Sequence, residues 1–298
     1  MTDKTVEAAS KYLGKKVDGS DNYNPSLIVP IPRINNRTQY NIDSENLPFY
    51  GYDVWHAYEF SCLCDNGLPI TRVLKLSYNC SSEYIVESKS LKLYLNSFNM
   101  TKFGLNEEEC LAACKKIIER DLGSALKTEI DVSFLDNSIK REPVFENFID
   151  IKNYIAGKNI HISQYKESPE LLECENSERK SYCLKFDALR SNCRVTHQPD
   201  FGDLFISYES DKHITEDSLV KYLCSFRSEY HFHEECCEMI YKRLYDLLDK
   251  EDKLFVGALY TRRGGIDICP VRLSANCTIN DVEILKDTNR YARNGIKQ

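Results

Sequence analysis

The sequence predicts an α+β protein assembled from two copies of one antiparallel unit, and three observations carry that prediction. First, the chain matches itself weakly at an offset of 128 to 130 residues, so that LKLYLNSF at 91–98 faces LVKYLCSF at 219–226. Second, Pro69, Leu74, Ser77 and Tyr78 stand against Pro199, Leu204, Ser207 and Tyr208, and NEEEC at 106–110 against HEECC at 233–237. Third, both copies contain stretches of period-two alternation, which marks a sheet with one wet face, beside stretches of helical spacing. Each copy reads strand, strand, helix, helix, strand.

Residues 1–50 precede the repeat as an arm whose PIPR at 30–33 must be extended, because proline excludes helix. The first module, 51–135, has Leu111, Cys114, Ile118 and Leu122 on one stripe of a helix that opens with Glu107, Glu108 and Glu109. Leu126, Thr128, Ile130, Val132 and Phe134 then alternate as a strand. Residues 136–178 form a polar linker too long for a simple loop, which predicts a short helix near 145–156. In the second module, 179–298, Leu184, Phe186 and Ala188 alternate with Lys185 and Asp187, Ile240, Leu244 and Leu248 stripe a helix, and LFVGALY at 254–260 and Ile266 to Val271 close the unit. Each module is expected to carry its own four-stranded sheet.

The chain of 298 residues is about twice the ~150 of a typical domain. A net charge of -7 argues against a non-specific grip on a phosphate backbone, so a small ligand is the better expectation and no direct nucleic-acid partner is expected. No window approaches the ~18 apolar residues of a membrane span, and MTDKTVEAASKYLGKK is too charged for the apolar core of a secretory signal. The expectation is a cytoplasmic protein whose thirteen cysteines are reduced thiols.

Four segments carry chemistry. SNCRVTHQPDFGD at 191–203 offers Cys193 as a nucleophile, with Arg194 or His197 for positive charge and Asp200 to exchange protons. The plainer alternative is a half-buried thiol at a strand end. HFHEECCE at 231–238 brings His231, His233, Cys236 and Cys237 together as zinc-competent groups, although adjacent cysteines and a tight HxH do not follow finger spacings. It also reads as a capped helix start, or as His233 and Glu234 at a pocket mouth, where a carboxylate accepts two N–H donors from a purine-like edge. In ESKSLKLYLNSF, Glu87, Ser88, Lys89 and Lys92 open an amphipathic helix whose free N–H groups and lysines suit an anion. RRGG at 262–265 lets a backbone approach a phosphate between arginines or simply turns the chain. There is no GxG, so a Rossmann dinucleotide site is not supported.

Taken together, PIPR at 30–33, LPFYGYDVWHAYE at 47–59, ESKSLKLYLNSFN at 87–99, Cys193 with Asp200, FHE at 232–234 and RRGGIDICPVR at 262–272 resemble the NADPH-dependent 7-cyano-7-deazaguanine reductases of queuosine biosynthesis in their long, two-module form. The resemblance implies tandem tunnelling-fold (T-fold) modules, antiparallel sheets with paired helices on one face, and a homodimer. It implies four-electron reduction of a nitrile to a primary amine with two NADPH per turnover and no metal. Cys193 would form a covalent thioimide, Asp200 would donate the proton as a neutral acid, and His233 would assist. Val86, Glu87, Ser88, His233 and Glu234 would hold the deazaguanine; Ser88, Lys89, Arg263 and Gly264 would hold NADPH. The pattern departs at Cys269, where Asn is expected, and the first copy has no nucleophile opposite Cys193, only Cys62 and Cys64 nearby. Two other readings of the same fold stay open: a zinc-dependent enzyme similar to GTP cyclohydrolase I, and a non-catalytic purine-binding protein.

Overall fold

A computed structural model of the chain describes residues 22–297 and the isolated positions 7, 10 and 11; the opening of the expected 1–50 arm lies outside the described residues. The described arm contains a short strand, β1 (Pro30–Pro32), and one turn of helix, α1 (Ile34–Arg37). The first copy follows as β2 (Tyr50–Leu63), β3 (Pro69–Asn79), β4 (Tyr84–Val86), α2 (Ser88–Asn96), α3 (Glu107–Leu126) and β5 (Ile130–Leu135). A connecting stretch holds β6 (Arg141–Pro143), β7 (Ile149–Asp150) and α4 (Lys152–Ile155). The second copy is β8 (Cys174–Asn192), β9 (Pro199–Ile214), α5 (Glu216–Ser225), α6 (His233–Tyr245), β10 (Lys253–Tyr260) and β11 (Ile266–Leu273), and α7 (Asn280–Lys286) and β12 (Tyr291–Arg293) complete the chain. The repeat is thus structural: Pro69 and Pro199 each open a second strand, and the matched YLNSF and YLCSF segments run through the C-terminal ends of α2 and α5.

The strands join one eight-stranded sheet in the order β5-β3-β2-β11-β10-β9-β8-β7, rather than the separate four-stranded sheets expected. The joint is β2 with β11, antiparallel from Tyr50 opposite Leu273 to Ala57 opposite Ile266. On one face, Leu74, Leu76, Ile268 and Trp55 pack under α2 and α3, while Leu204, Ile206, Val256 and Ala258 pack under α5 and α6. The alternate residues Val54, Phe205, Phe255 and Val271 point to the other face, where Phe145 and the Val282 and Leu285 side chains of α7 cover them. The result is a mixed α+β molecule with a large sheet and several helices, and none of its described helices is long and apolar enough to cross a membrane.

Three local expectations differ from the structure. Leu126 ends α3 rather than starting a strand: Cys110, Cys114, Ile118, Leu122 and Leu126 recur every fourth residue and are all buried, and Lys127 stops the helix in the left-handed conformation at φ 55°. In β8 the pairing register slips between Phe186 and Leu189, so Leu189 takes the core place the alternation gave to Ala188, which is exposed. Near 145–156 only Lys152–Ile155 is α-helical; Phe145 is left-handed at φ 58°, and β7 pairs parallel to β8.

Candidate active site

A cavity of about 400 Å³ opens where the two copies meet. The first copy supplies Trp55 from β2, Val86 from the end of β4, and Ser88, Lys89 and Lys92 from α2. The second supplies Cys193 from the loop after β8, Asp200 from β9, His233 and Glu234 from the first turn of α6, and Arg263 and Gly264 from the β10–β11 turn. Of the residues expected at the site, all but Glu87 line this one cavity.

Glu87 is placed elsewhere for a clear reason. It is the N-cap of α2, and its carboxylate accepts from the Lys89 and Ser90 N–H groups at 2.9 and 2.7 Å. The N–H groups expected to be free for an anion are therefore already filled, which leaves lysine side chains for that task. Lys92 is also engaged, donating to Glu59 at 2.9 Å and to the Gly264 carbonyl, so it ties α2 to the RRGG turn. The Lys89 ammonium makes no hydrogen bond or ion pair among the described residues, and Lys89 lines the cavity. That ammonium lines the same cavity as Gly264, which is left-handed at φ 55°, and the two suit a bound phosphate.

Asp200 sits at the centre of a chain of contacts. Arg263 donates to its Oδ1 and also to Gln198 Oε1 at 2.6 Å, and His233 Nε2 lies 3.4 Å away. Burial works to raise this carboxyl, but His233 and the Arg263 guanidinium outweigh it and hold Asp200 below the ordinary aspartate range. Asp200 is therefore a carboxylate here, not the neutral acid expected from the sequence. Arg263, expected on a cofactor, is paired with Asp200 while still lining the cavity. The His233 ring lies flat on Tyr260, with centroids 3.8 Å apart and planes 7° from parallel, which fixes its orientation.

Glu234 is almost fully buried and its Oε1 has no hydrogen-bond partner. Burial first, and then the charge of Asp53, push its carboxyl up to about 8. His233 Nδ1 and Trp55 Nε1 are buried and unpartnered too. Three orphaned polar atoms on residues lining one cavity are costly unless a ligand supplies partners, and an acceptor beside two heteroaromatic rings suits a purine-like base.

Neither cation proposed beside Cys193 reaches into the cavity lining. Arg194 turns away to the Tyr230 carbonyl, His231 and Glu235, and His197, left-handed at φ 57°, packs edge-on against Tyr230. The zinc-competent set of HFHEECCE is dispersed: Cys236 and Cys237 are buried in the core under α6, and the groupings of His, Cys, Asp and Glu among the described residues that come close enough to share an ion contain none of these four. Cys62 and Cys64, nearest to the missing nucleophile of the first copy, are buried in the core beneath α2 and α3.

Sequence reasoning missed the role of the arm. The β1 strand pairs with β4 immediately before the ESKS segment, and Ile31 packs with Val29 and Ile85 against Val195 of the nucleophile loop and Phe232 at the entry to α6. Asn36 accepts from Arg194 at 3.3 Å. The prolines of PIPR were a signal of extended chain but not of what that chain touches.

Comparison with known proteins decides the family. Residues 20–134 match the family described as nitrile reductase, 7-cyano-7-deazaguanine-reductase N-terminal, and residues 199–277 match that of QueF-like proteins. The chain is 38% identical over 278 residues to the NADPH-dependent 7-cyano-7-deazaguanine reductase of Legionella pneumophila (strain Lens), covering 93% of this chain and 94% of that one. It is 41% identical over 271 residues to the enzyme of the same name from Rickettsia massiliae, covering 89% and 93%. The chain belongs to the 7-cyano-7-deazaguanine reductase family. Its family membership agrees with the resemblance carried by the ESKS, FHE and RRGG segments, each of which sends residues into the cavity.

Proposed function

We propose that the chain reduces the nitrile of 7-cyano-7-deazaguanine to the primary amine of 7-aminomethyl-7-deazaguanine, with two NADPH per turnover, in tRNA queuosine biosynthesis. The observation that carries this reading is the convergence of a thiol, Cys193, a carboxylate–imidazole pair, Asp200 and His233, and a buried acceptor, Glu234, on one cavity. A cavity of about 400 Å³ suits a bicyclic base held at Glu234 with its substituent toward Cys193.

In the proposed mechanism Asp200, as a carboxylate, takes the Cys193 proton, and the thiolate adds to the nitrile carbon to form the C–S bond of a thioimide. The proton passes to the nitrile nitrogen, so the thiol has added across the triple bond and Asp200 is again ionised. His233, held by Tyr260, keeps Asp200 oriented and relays protons to the nitrogen. After the first reduction the C–S bond breaks and its electron pair leaves on the sulfur as thiolate, which takes a proton from solvent by way of Asp200 and His233, and an imine remains for the second. NADPH, when bound, supplies the two hydrides. Ser88, Lys89, Arg263 and Gly264 are the residues that would hold it, with Lys89 the ready counter-charge. Val86, Ser88, His233 and Glu234 would hold the base; Glu87 serves it indirectly by capping α2. No metal enters this scheme.

We read the two copies, 51–135 and 179–298, as tandem tunnelling-fold modules joined by 136–178, with one active site per chain and a homodimer as the working assembly. The strand β5 and the paired β7 and β8 stand at the two ends of the sheet, where further pairing is geometrically open. The test is stoichiometry: NADPH oxidation should require the nitrile and consume two NADPH for each amine formed. Oxidation without nitrile, or one NADPH per product, contradicts the reading.

A further inference from the structure

Behind Glu234 lies a buried charge network that the reaction scheme does not use. Arg33 of the arm donates to Asp53 of β2, to Ser82 Oγ at 3.1 Å and to Glu238 Oε1 at 3.4 Å. Arg272 of β11 meets Asp53 Oδ1 and Glu238 Oε1, each at 2.9 Å. Arg37 donates to both Glu238 oxygens at 2.8 Å. All five side chains are buried. Three guanidiniums thus face two carboxylates, Asp53 and Glu238, one positive charge in excess. Glu238 lies one helical turn beyond Glu234 on α6, on the same face. An ionised Glu234 would balance the set.

The ionisation of Glu234 matters because a carboxylate accepts from two N–H donors, whereas a protonated acid presents an O–H that clashes with one of them. The groups whose charge acts on Glu234 are Asp53, which opposes ionisation, and Arg33 and Arg272, which favour it; Tyr78 of β3 also faces it. Arg33 neutralises Asp53 directly and is the one member of this set carried by the arm.

We propose that Arg33 is a positioning residue for base recognition: by pairing with Asp53 behind Glu234, it makes the ionised, doubly accepting form of Glu234 accessible to an incoming purine-like edge. This gives the PIPR motif a function beyond bracing β4, and makes the arm part of the substrate site. The inference rests on the function proposed above.

The test measures equilibrium binding of 7-cyano-7-deazaguanine across pH 6–10 in a Cys193→Ala background, where no adduct forms. In the reference protein affinity rises with pH and levels off as Glu234 becomes ionised. Arg33→Gln leaves Asp53 less neutralised, so the levelling point moves to higher pH and affinity at pH 7 falls ~10-fold for each unit of movement. The two curves then converge at the alkaline end. Asp53→Asn moves the levelling point the other way, and adding it to Arg33→Gln restores it. A pH-independent loss in Arg33→Gln, or an unmoved levelling point in both variants, overturns the proposal. If Arg33→Gln does not fold, Asp53→Asn alone decides by the direction of its shift. Failure of the reference protein to bind the nitrile at any pH defeats the proposed function itself, a different result from an unmoved curve.

Discussion

The Arg263 guanidinium bridges Asp200 and Gln198, with the Gln198 contact at 2.6 Å, so the β10–β11 turn is fastened to the carboxylate that faces the cavity. The same Asp200 is approached by His233 at 3.4 Å. Two cationic or donor groups on one buried carboxylate make it a proton acceptor at neutral pH, which is what a thiol awaiting activation needs.

Asp200→Asn should keep the fold, since the amide has the same shape, but reduce turnover by ~10²-fold or more because no group then exchanges the proton. Steady-state rates at saturating substrates check this. Near-normal turnover would transfer the role to His233.

Arg263→Ala should raise the Asp200 carboxyl toward the ordinary aspartate range, because burial, the largest influence on it, is then opposed by His233 alone. The sign follows: adduct formation requires ionised Asp200, so the acid limb of its pH profile moves to higher pH. Stopped-flow rates of adduct formation against pH give the answer, and an unmoved limb would count against the assigned role.

Glu234→Ala should weaken nitrile binding far more than NADPH binding, with ~1.5–3 kcal/mol at stake for each charge-assisted hydrogen bond lost. Lys89→Ala should do the reverse, raising the KM for NADPH while the nitrile adduct still forms. Titrating each ligand separately checks both variants, and equal losses for both ligands in either one would contradict the division of the site.

The buried network sets a stability prediction. Burial opposes the charge of Glu238, but Arg37, Arg272 and Arg33 hold its carboxyl down to about 2. Its contribution is therefore complete above the ordinary value of 4.5 and disappears as pH falls through about 2. Glu238→Gln leaves three buried guanidiniums facing Asp53 as their one carboxylate and Arg37 with no charge partner among the described residues, and should cost about 3–5 kcal/mol at pH 7, read as a lower urea midpoint. A midpoint within the scatter of the parent would show that the charges are already matched elsewhere.

The sequence revealed those features that depend on local spacing. The helix stripe from Cys114 to Leu122 and the extended Pro30–Pro32 are short-range patterns, and both are present, although Arg33 already takes helical geometry as the N-cap of α1. The slip between Phe186 and Leu189 was not legible, because a bulge changes which face a residue takes without changing composition. Nor was the β2–β11 joint, since partners more than two hundred residues apart leave no local mark. At the site, residue types pointed to Cys193, Asp200, His233 and Glu234, but not to what Glu87 and Arg263 touch. Their side chains answer to neighbours, a helix terminus in one case and a buried carboxylate in the other.

The central claim is that Cys193 carries the substrate as a covalent adduct. Intact mass spectrometry after mixing the protein with 7-cyano-7-deazaguanine, without NADPH, tests it most directly. The account predicts a gain of one nitrile molecule per chain in the parent and none in Cys193→Ala. An adduct that persists in Cys193→Ala would contradict it.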